Sequence, residues 1–558
     1  MDSLEKKVVR YTRAALLGSL ASEGGGKAAT NMGNAVDKES GDLKMRSKLL
    51  GLVLMLALAA CTDGNNSTNP PVTPAPPASP PATPVAVCTP PITLINTSIP
   101  ARVVGTGTPG SCTEAALRTA ISAGGIITFS CGNAPVTIAV NSELVIGMDN
   151  PDVVLDGGGL VTLSGGNKSR ILNINSSFER STPLVTVQKL KFIDANITTE
   201  GGGAIKRLGG TLRVIDSQFS NNRCIAVDQD KAGGAIYAVG PAPLTIVGST
   251  FSNNRCASGG AIGGLFADIS ITNSTISGNT ATGNGGNPGN GGNGGGLYVD
   301  GNDNNLSICG SRITGNSGEA FGGGVFKVIN NLKGSTVIKQ STIADNTSTG
   351  DKLAGGLYLQ GTAVTLESST ISGNRANGAG GIYIGPGSSV NMLNTTIANN
   401  TAVASLGGGL FLDGVSGSIK HTTFLGNAAS GASAFGGAVS GASLSVNLQN
   451  SVFAGNSAGN GFNPITCTGQ FANGGGNTQF PVLRSGGGSD SPNALCASGI
   501  GLTDPQLEPL ADNGGATKTA LPALTSPLLK ATSGNCAVSD QRGATRGTPC
   551  TAGATERP

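Results

Sequence analysis

Across the middle of the chain the apolar residues come in short alternating segments, such as Leu244-Thr245-Ile246, Ile269-Ser270-Ile271, Val364-Thr365-Leu366 and Val446-Asn447-Leu448. Clusters of Gly, Asn and Ser separate them, and no stretch sustains a 3.6-residue period. Alternation with turn residues between predicts short strands with one face buried. The segments also recur in register. An aromatic or isoleucine followed three residues later by Asn appears as Phe219 and Asn222, Phe251 and Asn254, Ile276 and Asn279, Ile313 and Asn316, and Ile343 and Asn346. It continues as Ile371 and Asn374, Ile397 and Asn400, Phe424 and Asn427, and Phe453 and Asn456. Asn222 to Asn456 is 234 residues in eight steps, a mean period near 29.

A period of 20 to 50 residues marks a solenoid, a propeller or an array. Helical repeats are excluded by the alternation, and about 29 residues is too short for a four-stranded propeller blade. One turn of a parallel β-helix fits, with roughly three short strands per coil and the Asn side chains hydrogen-bonding up the stack as a ladder. Steps run from 25 residues (Asn254 to Asn279) to 37 (Asn279 to Asn316), and the longest holds a glycine-rich insert, Gly283 to Gly296, expected to bulge out as a loop. A Gly-Gly step before an aliphatic recurs beside each phrase, as in Gly233-Gly234-Ala235-Ile236. Thr113 to Ser122, with Leu117, Ala120 and Ile121 at helical spacing and Glu114 near its start, predicts a helix capping the first coil. The expected fold is all-β, a right-handed parallel β-helix of about thirteen coils, some 60 Å long at ~4.8 Å per coil.

The ends add organisation. Met45 to Ala60 has a basic start (Arg46, Lys48) and an apolar run of twelve residues, Leu49 to Ala60, too short to span a bilayer but fit for an export signal. Residues 1–44 precede that start and read as an upstream extension rather than a domain. Residues 61–87 form a Pro-rich linker, extended by composition, then come the β-helix at 88–460 and a Cys/Gly-rich C-terminal cap at 461–558. Export suits the cysteines: eleven, of which Cys61 ends the signal, leave ten to pair. Cys224 and Cys256 hold the same position in consecutive coils, so their Cα atoms should lie about 4.8 Å apart, within disulfide range. Proximity alone suggests Cys112–Cys131, Cys467–Cys496 and Cys536–Cys550, while Cys88 and Cys309 have no evident partner.

Several of these motifs resemble known families. Leu58-Ala59-Ala60-Cys61 resembles the lipobox of bacterial lipoproteins, which implies lipidation of Cys61. Thr62 after it implies the outer membrane by the sorting rule of Gram-negative lipoproteins. Phe219-Ser-Asn-Asn222 with Gly233-Gly-Ala-Ile236, and Phe251-Ser-Asn-Asn254 with Gly259-Gly-Ala-Ile262, resemble the repeats of polymorphic outer membrane proteins and the wider right-handed, pectate-lyase-like β-helix superfamily. The tail, with Asp504-Pro505, Asp512-Asn513-Gly514-Gly515, Ser526-Pro527 and Asp540-Gln541-Arg542-Gly543, resembles a choice-of-anchor Q module. Its last segment, Thr551 to Glu556, lacks the Asp and aromatic of the usual ending. About 100 residues follow Asn456, without the run of alternating ten-residue strands of a translocating barrel.

Little catalytic chemistry is legible. Asp300 and Asp413 hold the same coil position but lie four coils apart, roughly 19 Å, too far to share one glycosidic bond. Asp300-Gly-Asn-Asp303 lacks the carboxylates of a Ca²⁺ loop and reads as a polar turn. Glu200, Asp228, Asp230, Lys206, Arg207 and Lys231 read as solvated loop charges, and the single His421 as a solvent-facing strand residue. No nucleotide, metal or haem motif stands out, so no cofactor is expected. A net charge of +3 gives no reason to expect nucleic acid. The more informative feature is an aromatic row, Tyr298, Phe326, Tyr358, Tyr383 and Phe411, in one slot of five consecutive coils. Alternation points it outward, with Asp300, Gln360 and Asp413 two residues on. Such a row either stacks on itself and shields the sheet or contacts a ligand. The leading functional expectation is a non-catalytic, adhesin-like or glycan-binding envelope lipoprotein, held to the membrane by its lipid and contacting a glycan or surface protein. The alternative is a polysaccharide lyase or glycoside hydrolase.

Overall fold

From Ile236 to Ala458 each coil is built from four short strands. In the coil of Asn316 these are Leu297–Asp300, Leu306–Cys309, Arg312–Thr314 and Ser317–Gly318. The computed structural model describes residues 87–441, 445–460, 465–483, 493–532 and 534–557; the upstream extension, the signal segment, Cys61 and linker residues 61–86 lie outside them. Stacked in parallel, the coils form a solenoid of about 13 turns. The strands after each Gly-Gly step make an 11-stranded sheet, and the two-residue strands make an 8-stranded one. The remaining two columns belong to one 25-stranded sheet, because the long strands Val153–Ser164 and Leu184–Ile193 run through both. Where three strands per coil were expected, a sharp bend divides the middle one.

That bend has its own chemistry. At its corner stand Lys189, Asp216, Gly248, Asn273, Gly310, Gln340, Ser368, Asn394, His421 and Asn450, one per coil, all with φ between 45° and 60°. Left-handed backbone costs a non-Gly residue about 1 kcal/mol. The residue after each corner from Asp216 onward is Ser or Thr, and its hydroxyl donates back across the bend, as Ser249 Oγ does to the Val247 carbonyl at 2.8 Å. From Ser249 to Ser369, and again at Ser451, the same oxygen accepts the backbone N–H of its counterpart one coil earlier, Ser217 N to Ser249 Oγ at 3.1 Å and Ser249 N to Ser274 Oγ at 3.1 Å. A second polar ladder therefore runs beside the Asn ladder. The full phrase is Ser/Thr-x-Phe/Ile-x-x-Asn, of which only the second half stood out as a motif.

The Phe and Ile of the phrase pair directly from coil to coil and are buried, with Phe192–Phe219 and Phe219–Phe251 stacked at 4.7 Å and Phe424–Phe453 at 4.8 Å. The expected Asn ladder is present along its whole length. Asn222, Asn254, Asn279, Asn316, Asn346, Asn374, Asn400 and Asn427 each donate through Nδ2 to Oδ1 of the next Asn at 2.9–3.0 Å, the last of them to Asn456. That oxygen also accepts the preceding Asn backbone N–H, as Asn400 Oδ1 does from Asn374 N at 3.0 Å. Nδ2 makes a second bond to the carbonyl of the previous coil's Phe or Ile, as Asn346 Nδ2 does to Ile313 O, Asn374 Nδ2 to Ile343 O and Asn400 Nδ2 to Ile371 O, all at 2.9 Å. Buried amides are thereby satisfied over three successive coils. The Gly-Gly step follows from crowding: a Cβ on Gly295 would sit 2.3 Å from the Gly323 carbonyl oxygen.

A helix, Glu114–Ala123, with Leu117, Ala120 and Ile121 buried, packs beside the first strands. Thr113 caps it, its hydroxyl accepting from Ala116 N. At the other end the ladders continue to Thr478–Phe480, and the C-terminal segment then turns back along the bend. There Gln541 Nε2 donates to Ser369 O and Thr370 Oγ1, Thr396 Oγ1 donates to Gln541 Oε1, and Ala554 N donates to Thr423 Oγ1. All ten cysteines among the described residues are paired: Cys88–Cys309, Cys112–Cys131, Cys224–Cys256, Cys467–Cys496 and Cys536–Cys550. Cys224 and Cys256 have Cα atoms 4.7 Å apart. The partner of Cys88 is Cys309, 221 residues away. Such a pairing leaves no trace in local spacing.

Replacing Asn346 by Ala strands the Asn316 N–H, one Asn316 Nδ2 proton and the Ile313 carbonyl inside the solenoid. At 1–3 kcal/mol for each buried orphan, the expected cost is roughly 4 kcal/mol. Urea unfolding of the oxidised protein should show it as a large fall in midpoint, whereas Asn391→Ala on the exposed face should change stability by less than about 0.5 kcal/mol.

Candidate functional site

The aromatic row forms as a column. Tyr298 pairs with Phe326, Phe326 with Tyr358, Tyr358 with Tyr383 and Tyr383 with Phe411, one per coil on the Gly-Gly sheet. The rings stack at 5.3, 5.2 and 4.7 Å, and the last pair meets edge-on at 5.5 Å. The column points away from the solenoid core, as alternation requires, but it is not open to solvent. Tyr298 is fully buried, Phe326, Tyr358 and Tyr383 are nearly so, and only Phe411 is partly exposed. The cover comes from the loops that enter each Gly-Gly step, which lay Ala232, Phe321, Ala354 and Ala379 over the rings as a second small core. Phe321 sits 4.8 Å from Tyr358. Expectation of an exposed row is thus corrected: strand parity gives the direction of a side chain, and the loops decide what reaches it.

The insert Gly283 to Gly296 contributes to that cover instead of bulging away. Gly286 and Gly291 bridge each other antiparallel. Asn287 Nδ2 then reaches Asp300 Oδ2 at 2.9 Å and the Tyr298 hydroxyl at 3.2 Å. Asp300 is no solvated turn residue. Its Oδ2 also accepts from Tyr298 OH at 3.0 Å, and its Oδ1 accepts from Gly301 N at 2.6 Å and Asn330 Nδ2 at 3.3 Å. Burial pushes its carboxyl up to about 6, against the lowering effect of the Tyr298 and Gly301 hydrogen bonds. Burial likewise raises Asp230, helped by the neighbouring Asp228. Toward the other end the row opens: Tyr358 OH donates to Gln360 Oε1 at 2.9 Å, Tyr383 OH donates to Asp413 Oδ2 at 3.0 Å, and Asp413 is exposed. Asp300 and Asp413 stand four coils apart.

Two charged groups sit elsewhere than expected. Arg207 lies inside the solenoid, fully buried in a column with Ile174 and Ala238, its Nη1 donating to Gly210 O at 3.1 Å. Burial lowers it to about 10. Glu200 is half-buried between Lys206 and Arg170, with Arg170 also bound to Glu143 at 2.8 Å. His421 is buried rather than solvent-facing. It occupies one corner of the bend at φ 45°, beneath the C-terminal segment, where its Nε2 accepts from Ala537 N at 3.3 Å and sits 3.2 Å from Asn450 Nδ2. Arg546, bonded to Glu556 and to Asn394 Oδ1, lies near it.

Among the described residues no group of three His, Cys, Asp or Glu side chains could hold a metal ion, and no helix is long and apolar enough to cross a membrane. Comparison of the chain with protein-family models, with curated proteins and with solved structures finds no significant match.

Burial, and next the Arg546 cation, hold His421 down at about 4. The unfolded imidazole titrates near 6.5, so between those values the unfolded chain takes up a proton that the folded chain refuses. Stability therefore falls as pH drops from about 6.5 to about 4, by on the order of 3 kcal/mol from this residue. Asp300, raised toward 6, acts in the opposite sense by losing stability as pH rises. Urea midpoints of wild type and His421→Gln, compared from pH 4 to pH 8, isolate the histidine: their difference should be flat above pH 7 and should swing against the wild type below it.

Proposed function

We propose that this chain is an envelope lipoprotein, lipidated at Cys61, whose solenoid is a non-catalytic, adhesin-like surface that contacts glycan. Right-handed winding and placement at the outer membrane belong to the same reading. Five disulfides support an oxidising compartment outside the cytoplasm. The observation that carries the contact site is the graded opening of the aromatic row: closed over Tyr298, it opens past Tyr358, bonded to Gln360, and Tyr383, bonded to the exposed Asp413, and ends in the partly exposed Phe411 ring. A partly open row of rings edged by an amide and, one coil on, a carboxylate offers apolar faces and fixed hydrogen-bonding groups together, as carbohydrate surfaces require.

The second reading, a polysaccharide lyase or hydrolase, draws on the raised carboxyls of Asp300 and Asp230 around Tyr298. It is disfavoured because both Asp300 oxygens are engaged by neighbouring groups and the insert lies across them. A glycan-array screen of the exported chain, with reducing-end release assayed on each hit, separates the two. Gln360→Ala/Asp413→Ala is the informative variant, since both side chains lie at the rim and the ring stack stays intact. Binding weakened tenfold or more in that variant, without product, is the expected result. Product release from any hit would replace the binding reading with the enzymatic one.

A further inference from the structure

The N-terminal segment does not enter the solenoid where the solenoid begins. Cys88 is joined to Cys309, in the strand Leu306–Cys309, and Asn273 clamps the same point: its Oδ1 accepts from Val87 N and Cys88 N, and its Nδ2 donates to Cys88 O. From there the chain travels toward the first coil. Gln188 holds Ile95 by both backbone groups, at 2.9 and 3.0 Å, and Thr97 Oγ1 donates to Asp156 Oδ2 at 2.7 Å. Only then does Arg102–Val104 pair with Ile127–Phe129 and winding start. Asp156, Gln188, Ile215, Val247, Thr272 and Cys309 are successive members of one outward column. Ile215, Val247 and Thr272, between the clamped positions, are buried although they face outward. Residues 88–97 thus form a strap across six coils.

We infer that Cys88–Cys309 is a load bypass. Tension arriving from the N-terminal side meets the disulfide first and passes into the middle of the solenoid, leaving residues 89–308 outside the path of force. Cys309 is well placed to receive it, since Leu306–Cys309 is paired on both sides, with Ile269–Thr272 and with Thr336–Lys339. Without the bond the strap has only separate hydrogen bonds, loaded one after another like a zipper and worth about 1 kcal/mol each. After the strap, the same pull reaches Arg102–Val104, three residues paired on one side, and opens the solenoid from its end. The use of the device rests on the reading above: a lipid tether before Val87 and a ligand at Gln360 and Asp413 leave only the coils between Cys309 and the ligand under load.

Force spectroscopy tests this without involving lipid or ligand. The exported chain is held through one handle in the Pro-rich linker and another at the C-terminus, and pulled oxidised, after reduction in the trap, and as Cys88→Ser. In the oxidised protein Cys88–Cys309 withholds its 221-residue loop, about 750 Å at ~3.4 Å per residue. Cys88→Ser, in which Cys112–Cys131 and Cys224–Cys256 still close 19 and 32 residues of that loop, should release about 170 residues of it, ~580 Å. The reduced protein should release all of it, besides the length freed by the two C-terminal disulfides. In both, the loop should come out in the earliest and weakest events. Release of residues 89–308 only after the C-terminal coils, or at equal force, would overturn the inference. Reduction of already folded wild type gives the comparison even if the variant folds poorly. Incorporation of labelled palmitate at Cys61 is scored separately, so a failure of the anchor reading is not confused with a failure of the bypass.

Discussion

Everything in this molecule depends on each coil closing the hydrogen bonds of the next. A thin solenoid buries polar backbone at every turn, and its bends leave groups that no sheet ladder can satisfy. The chain meets this with two columns of side chains. The Asn column spans three coils per residue, and the Ser/Thr column closes the bend within one coil while accepting from another. Because each amide serves neighbours above and below, satisfaction holds only when the coils are in register. The apolar column of Phe and Ile beside them contributes burial but would tolerate sliding; the amides would not.

The bend also explains how the surface is apportioned. Its left-handed corners throw their side chains outward, and polar outward groups on a narrow ridge suit the docking of extended backbone. The N-terminal strap occupies one stretch of the ridge through Asn273 and Gln188. The C-terminal segment occupies another through Asn394, His421 and Asn450. With the ridge covered by the chain itself, the Gly-Gly face and its loops remain as the place where coils differ in loop length, from the long insert over Tyr298 to the open rim at Asp413.

The fold was legible because repetition averages out local ambiguity: one Phe-x-x-Asn means little, and nine at a steady period leave only a solenoid. The Ser/Thr column was equally present in the sequence but hidden, since Ser and Thr are common around every strand and signal nothing singly. What could not be read were contacts made across the chain rather than along it. His421 is covered by residues more than a hundred positions later, Cys88 finds Cys309 across six coils, and the aromatic row is roofed by loops whose conformation no alternation predicts. Arg207 failed for a different reason: its neighbours Ile205 and Leu208 are both apolar, so parity alone left its side undecided.

The strap behaves as a ruler. Coils that share one hydrogen-bonding pattern can in principle be added or removed like links, because the ladders on either side rejoin. Ten residues clamped at Asp156, Gln188, Asn273 and Cys309, however, count the coils beneath them: one more would stretch the strap by about 4.8 Å between fixed points, and one fewer would slacken it. The C-terminal segment counts likewise, since Gln541 alone bridges the coils of Ser369 and Thr396. Length variation in such a chain is therefore confined to the coils that neither terminus measures, around Gln340, where Cys88 reaches no further than a single sulfur contact.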